Sequence, residues 1–130
     1  MRIIKLFILI IILSIIMSGC TNSISTEEEE GPISTNVTIE ESKDLINDME
    51  DLLILDVRTK GEFDAGHIEG SIQIPVDELE DRINELEEYR GNPILVYCRS
   101  GNRSSQAVNI LLNNEFGEIY HMNEGFMNWK

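Results

Sequence analysis

The sequence predicts an α/β domain, on three observations. Two short runs, Leu52-Leu53-Ile54-Leu55 and Ile94-Leu95-Val96-Tyr97, are apolar at every position, as strands buried on both faces of a sheet must be. Helical patterns separate them, which is the arrangement of crossover connections between parallel strands. A chain of 130 residues, 42% of them apolar, is also enough for one domain with its own core. The expected architecture is a mainly parallel sheet covered by helices on both faces.

At the N-terminus, Arg2 and Lys5 precede an apolar stretch from Leu6 to Met17, 12 residues long. At about 1.5 Å per helical residue this falls short of a hydrocarbon core of roughly 30 Å, so residues 1–19 read as a secretory signal peptide instead of a membrane span. The segment ends in Met17-Ser18-Gly19-Cys20, which resembles the lipobox of bacterial-type lipoproteins, with Met17 where leucine is commoner. That resemblance implies cleavage before Cys20, lipidation of Cys20, and a domain anchored through lipid to the extracytoplasmic face of a membrane. An uncleaved signal anchor and a buried core helix are the alternatives. Residues 20–36 contain the run Glu27-Glu28-Glu29-Glu30 and Gly31-Pro32 without apolar periodicity, and are expected to be a flexible acidic tether.

The folded domain is expected to span residues 37–130. Thr38 with Glu41 forms a capping box before a helix through Leu45, Ile46 and Met49, and Thr59 with Glu62 forms a second one after the first apolar run. Ile72 to Ile74 reads as a short strand closed by Pro75. Leu79, Ile83 and Leu86 recur at helical spacing, predicting a helix that ends near Gly91 and exposes a charged face from Glu78 to Glu88. The second apolar strand runs into the segment CRSGNRSS. A helix through Ala107, Val108, Ile110, Leu111 and Leu112 follows, then a strand at Ile119-Tyr120 and a short last helix near Trp129.

Charge and cysteine content exclude several functions. With 24 acidic and 10 basic side chains the net charge is -14, and such a surface repels phosphate backbones, so no nucleic-acid partner is expected. Loss of residues 1–19 removes two basic and no acidic residues, taking the net charge to -16. Two cysteines cannot build a disulfide framework or a zinc ribbon, and no metal or other cofactor is expected. With Cys20 lipidated, Cys98 is a lone thiol.

Sites in α/β sheets lie beyond the carboxyl ends of the strands, where loops lead into helix N-termini. Cys98 stands there. The loop Cys98-Arg99-Ser100-Gly101-Asn102-Arg103 can turn its backbone N–H groups toward one point, and the following helix adds the positive end of its dipole. A thiol at that focus is favoured as thiolate, with Arg99 and Arg103 adding to the field, so Cys98 is the candidate nucleophile. Gly101 permits the tight curl.

Taken together, Leu55-Asp56-Val57-Arg58, Glu62-Phe63, Gly66-His67-Ile68-Glu69-Gly70-Ser71, Ile74-Pro75, Val96-Tyr97-Cys98, Gly101, Arg103-Ser104, Gly125 and Trp129 resemble the single-domain members of the rhodanese-like sulfurtransferase family. The resemblance covers about residues 37–130. It implies a central parallel five-stranded sheet and a Cys98 that carries sulfane sulfur as a persulfide. Sulfur would come from a small sulfur-containing anion such as thiosulfate or from a persulfide donor, and pass to cyanide or a thiol acceptor. The amides of residues 99–103 would hold the persulfide, and Arg99 or Arg103 would steer an anionic donor. Related phosphatases have one residue more between cysteine and arginine than the four between Cys98 and Arg103, which favours sulfur over phosphate. The family's closing pair of glycines is Glu124-Gly125 here, placing a negative charge near the loop.

Asp56 and Arg58 read as a structural ion pair, since buried charges are rarely unpaired. His67 reads as a structural residue satisfying a backbone carbonyl in the Gly66 to Gly70 turn, having no second ligand at metal spacing. His121 reads as a surface or packing residue, and Phe126 and Trp129 as packing for the last helix. The chain is expected to act as a monomeric sulfurtransferase, with a non-enzymatic sulfur or redox relay that docks on a partner as the alternative. For the N-terminus the expected outcome is a lipid-shifted intact mass assigned to Cys20 in membrane-extracted protein; an unmodified Cys20 counts against the anchor.

Overall fold

The computed structural model describes residues 31–130, so the signal segment, Cys20 and the tether up to Glu30 lie outside the described residues. Five strands form one sheet: β1 (Ile33–Val37), β2 (Leu53–Asp56), β3 (Ile72–Gln73), β4 (Ile94–Tyr97) and β5 (Glu118–Met122). Their order is β1-β5-β4-β2-β3, and every neighbouring pair is parallel. A parallel pair cannot be closed by a tight turn, so the chain crosses the sheet between strands. The crossovers carry α1 (Ile39–Asp48), α2 (Lys60–Ala65), α3 (Val76–Leu79), a 3-10 helix (Ile83–Tyr89) and α4 (Asn102–Asn113); a 3-10 turn (Phe126–Asn128) closes the chain.

The apolar runs of β2 and β4 divide their side chains between two cores, because successive residues point to opposite faces. Leu53, Leu55, Ile94 and Val96 join Ile119, Leu79, Leu86, Ala107 and Leu111 in one core. Ile54, Leu95 and Tyr97 join Val37, Ile39, Ile68 and Met122 in the other, with Leu45, Ile46, Phe126 and Trp129 packed against it. Both capping boxes form: Thr38 and Thr59 accept from the N–H of Glu41 and Glu62, whose carboxylates accept from the threonine N–H groups.

Three elements depart from the sequence reading. Residues Ile33 to Asn36 are not tether but most of β1, which pairs residue by residue with β5 from Ile33 opposite Glu118 to Val37 opposite Met122. Only Val37 of this strand is buried, so backbone hydrogen bonding holds it with no apolar signal to betray it. The segment from Leu79 to Leu86 is not one helix. The i, i+3, i+6 spacing of Ile83, Leu86 and Tyr89 matches three residues per turn, and the chain there is a 3-10 helix behind the short α3. The last strand extends through His121 to Met122.

At the end of β2, Arg58 folds back on Asp56: Nε lies 2.9 Å and 3.0 Å from the two carboxylate oxygens, and Nη2 lies 2.6 Å from Oδ2. Both residues are buried. Nη2 also donates to the Gly66 carbonyl at 2.8 Å, and the guanidinium lies 4.2 Å from the centre of the Phe126 ring. This pair therefore ties β2 to the end of α2 and to the last turn. Removing one partner leaves the other charged and buried, so Asp56→Ala is expected to cost about 3–5 kcal/mol in urea unfolding; a loss below about 1 kcal/mol contradicts that role.

Candidate active site

Cys98 is the residue that follows β4, and only 1% of its surface is exposed. Its Sγ accepts from the Gly101 N–H at 3.1 Å and from the Ser104 hydroxyl at 3.3 Å. Burial pushes the thiol pKa up, but hydrogen bonds from the Ser104 hydroxyl and from the backbones of Ser104, Ser100 and Gly101 outweigh it, and the net effect lowers it. Asn102 and Arg103 open α4, where N–H groups have no partner inside the helix. The loop therefore stabilises negative charge on sulfur by several donors at once.

A second segment holds this loop from outside. Phe126 N–H donates to the Cys98 carbonyl at 2.8 Å, and Met127 N–H to the Arg99 carbonyl at 3.1 Å. The approach requires glycine on both sides. Gly101 has φ +98° and a Cβ there would overlap the Asn123 carbonyl; Gly125 has φ +72° and a Cβ there would overlap the Arg99 carbonyl.

The two loop arginines differ. Arg103 is forked onto Glu62 of α2, with Nη1 2.7 Å from Oε2 and Nη2 2.8 Å from Oε1. It braces the loop against α2, and the charges of Glu62 and of Cys98 both raise its pKa. Arg99 is exposed and makes no ion pair among the described residues. With Arg58, Glu62, Ala65, Gly66, Phe126, Met127 and Trp129 it lines an open cavity of about 350 Å³. Ser100 and Asn102 are exposed on the same loop. The Glu124 carboxylate accepts from the N–H of Ile39 at 2.7 Å, so its charge meets the positive end of α1.

Other residues take places that the sequence reading did not assign. His67 is exposed, and its Nδ1 lies 2.9 Å from the carbonyl of Phe63 in α2, whose ring it stacks on at 3.7 Å; the carbonyl is not one of the Gly66 to Gly70 turn. His121 is buried in β5 and hydrogen-bonded, with Nε2 2.8 Å from Ser104 Oγ and Nδ1 3.0 Å from Asn36 Oδ1. It is neither a surface residue nor simple packing. One signal could have found it: in a strand where Ile119 faces a core, the residue two further on shares that face, and a histidine there needs polar partners.

The rhodanese-like domain family matches residues 38–130, most of the chain. The chain belongs to the rhodanese-like family. Over 76 residues this rhodanese-like chain is 38% identical to the uncharacterized protein YqhL of Bacillus subtilis, covering 58% of the chain and 59% of that protein. Over 82 residues it is 34% identical to a protein named sulfurtransferase from Allochromatium vinosum, covering 63% of the chain and 75% of that protein. The chain thus spans less than two thirds of the Bacillus relative's length. The crystal structure of a rhodanese-like domain protein from Staphylococcus aureus is 26% identical and superposes with a TM-score of 0.66, covering 74% of this chain and 91% of that one.

The brace between Glu62 and Arg103 predicts a pH dependence for the rhodanese-like domain. The Arg103 guanidinium, with the Thr59 cap, holds the Glu62 carboxyl at about 2, below its usual 4.5. A depressed folded value stabilises the fold above the unfolded value and is lost as pH falls toward the folded one. Wild-type protein is therefore expected to exceed Glu62→Gln in stability by about 1 kcal/mol near neutral pH, for a partly exposed pair. That margin is expected to shrink between pH 4.5 and about 2; denaturant titrations at several pH values check it, and a pH-independent difference contradicts it.

Proposed function

We propose that this chain is a sulfurtransferase in which Cys98 carries sulfane sulfur as a persulfide. The observation that carries the reading is the sulfur itself, held by the Gly101 N–H and the Ser104 hydroxyl at the start of a strand-to-helix loop. Membership of the rhodanese-like family and the relative named sulfurtransferase support it. The Cys98 thiolate attacks the outer sulfur of thiosulfate; the S–S bond of the donor breaks and sulfite leaves with the electron pair. Cyanide then attacks the terminal sulfur of the persulfide, thiocyanate departs, and the thiolate returns. With a protein or small-molecule persulfide as donor, a thiol leaves in place of sulfite. No external oxidant or reductant enters, and the chain needs no cofactor for either step.

Within the loop, the N–H groups of Ser100, Gly101, Asn102 and Arg103 stabilise charge on the persulfide, and Arg99 at the open cavity draws in an anionic donor. Arg103 serves through its brace to Glu62. The lipobox-like segment supports an extracytoplasmic location, with lipid on Cys20 holding the enzyme at a membrane face. A relay loaded by a partner protein is a second reading, favoured by the Met127 side chain, 60% exposed at the rim of the cavity.

Intact mass after thiosulfate treatment tests the proposal. Wild-type protein is expected to gain one sulfur atom on Cys98 and to lose it to cyanide, while Cys98→Ser gains none. Turnover retained in Cys98→Ser removes the mechanism. Loading of reduced Cys98 from a protein persulfide, with no onward transfer of sulfur to cyanide or a small thiol, selects the relay.

A further inference from the structure

Behind the Cys98 sulfur runs a line of polar side chains, of which the transfer steps use only the Ser104 hydroxyl. Ser104 Oγ lies 3.3 Å from Cys98 Sγ and 2.8 Å from His121 Nε2, and His121 Nδ1 lies 3.0 Å from Asn36 Oδ1. The four residues come from the Cys98 loop, α4, β5 and β1. Sheet register sets the last contact, since Asn36 is the partner of His121 across the β1–β5 pair.

Hydrogen-bond chemistry orders this line. Asn36 Oδ1 can only accept, so Nδ1 carries a proton and Nε2 of the neutral ring is left as an acceptor facing the serine hydroxyl. Ser104 has one proton and three neighbours in reach: the sulfur, Nε2 and the Gly101 carbonyl at 3.0 Å. When Nε2 gains a proton it donates to Oγ, and the serine proton is free to point at a thiolate. Two arrangements of the same groups are thus available, one for each protonation state of Cys98.

We propose that His121 is a positioning residue that receives the Cys98 proton through Ser104. The S–H bond breaks as Ser104 Oγ takes the proton, and the serine O–H bond breaks as its own proton passes to His121 Nε2. Serine ends as it began, Cys98 holds the negative charge and the imidazolium the positive one. No electron changes hands. Burial lowers the pKa of His121, while the Gly101 backbone favours its charged form, so the ring starts as a neutral base.

The surroundings leave Cys98 as the charge that answers to His121. The flanking strands β1 and β4 contain no Asp, Glu, Lys or Arg. In α4 the sole charged residue is Arg103, held by Glu62, and in the turn after β5 Glu124 is held by the Ile39 N–H. The buried Asp56–Arg58 pair is closed on itself. On α1, Glu40, Glu41, Asp44 and Asp48 are exposed, and Lys43 lies over the Trp129 ring at 5.6 Å.

This inference rests on Cys98 being the nucleophile of the proposed transfer, yet its test needs no sulfur donor. The rate of Cys98 alkylation by iodoacetamide is followed against pH in wild type and His121→Gln. Thiolate formation is expected to move up by about one unit in the variant, slowing alkylation about tenfold below the midpoint and leaving the alkaline plateau unchanged. Identical profiles overturn the relay, even if the variant is less stable. Should His121→Gln fail to fold, the His121 ring is titrated by NMR in wild type and Cys98→Ala. Linkage is reciprocal, so removal of the thiolate is expected to lower the imidazole pKa by about one unit, and equal values overturn the proposal. Sulfur loading that persists alongside unchanged alkylation profiles rejects the relay alone; a shifted profile in a protein that takes no sulfur from any donor rejects the transfer reading alone.

Discussion

Two backbone hydrogen bonds, from Phe126 and Met127 to the carbonyls of Cys98 and Arg99, orient everything in the active-site loop. A trans peptide points its N–H opposite to its C=O, so fixing those two carbonyls toward the last turn sends the N–H groups of Arg99 and Ser100 the other way, into the loop. The curl then brings the Gly101 N–H onto the sulfur. Gly101 and Gly125 are the positions where the loop and the last turn come too close for any side chain. The lowered pKa of Cys98 thus rests on donors that the fold brings onto the sulfur, the Ser104 hydroxyl of α4 first and then the backbone of the loop.

Charge in this protein is handled by pairing. The chain is acidic, with a net charge of -14, yet the basic groups around the loop are committed to particular carboxylates. Arg58 is closed on Asp56 and Arg103 on Glu62, and each pair fixes backbone geometry next to Cys98. Glu124, which stands where the family has glycine, meets an N–H at the start of α1. This leaves Arg99 to set the potential at the mouth of the cavity, where solvent screening is strong and a cation works by attraction at a distance instead of by a fixed bond.

Much of this was legible in the sequence because it follows from local pattern. Runs such as Ile94 to Tyr97 announce a buried strand, Thr38 with Glu41 announces a helix start, and Cys98 between a strand and a helix announces a thiol met by loop donors. What was not legible depends on contacts made across the fold. β1 is exposed except at Val37, with a polar middle, and pairing with a strand 85 residues away makes Ile33 to Val37 a strand. The pairing of Arg103 with Glu62 joins residues 41 apart in sequence, and the same carboxylate also serves the Thr59 cap. His121 carries no local mark of its partners. The 3-10 helix was hidden because periods of 3.0 and 3.6 residues diverge little over two turns.

The topology also dictates when the site is finished. β1 leaves the ribosome first among the strands and β5 last, yet they are neighbours, and parallel pairing over such a separation in sequence is slow to form. Until β5 docks, Asn36 has no histidine to meet and the Cys98 carbonyl has no Phe126 amide. A nascent chain therefore carries a thiol without its outer supports. The contacts that support Cys98 from outside are therefore assembled only with a completed fold.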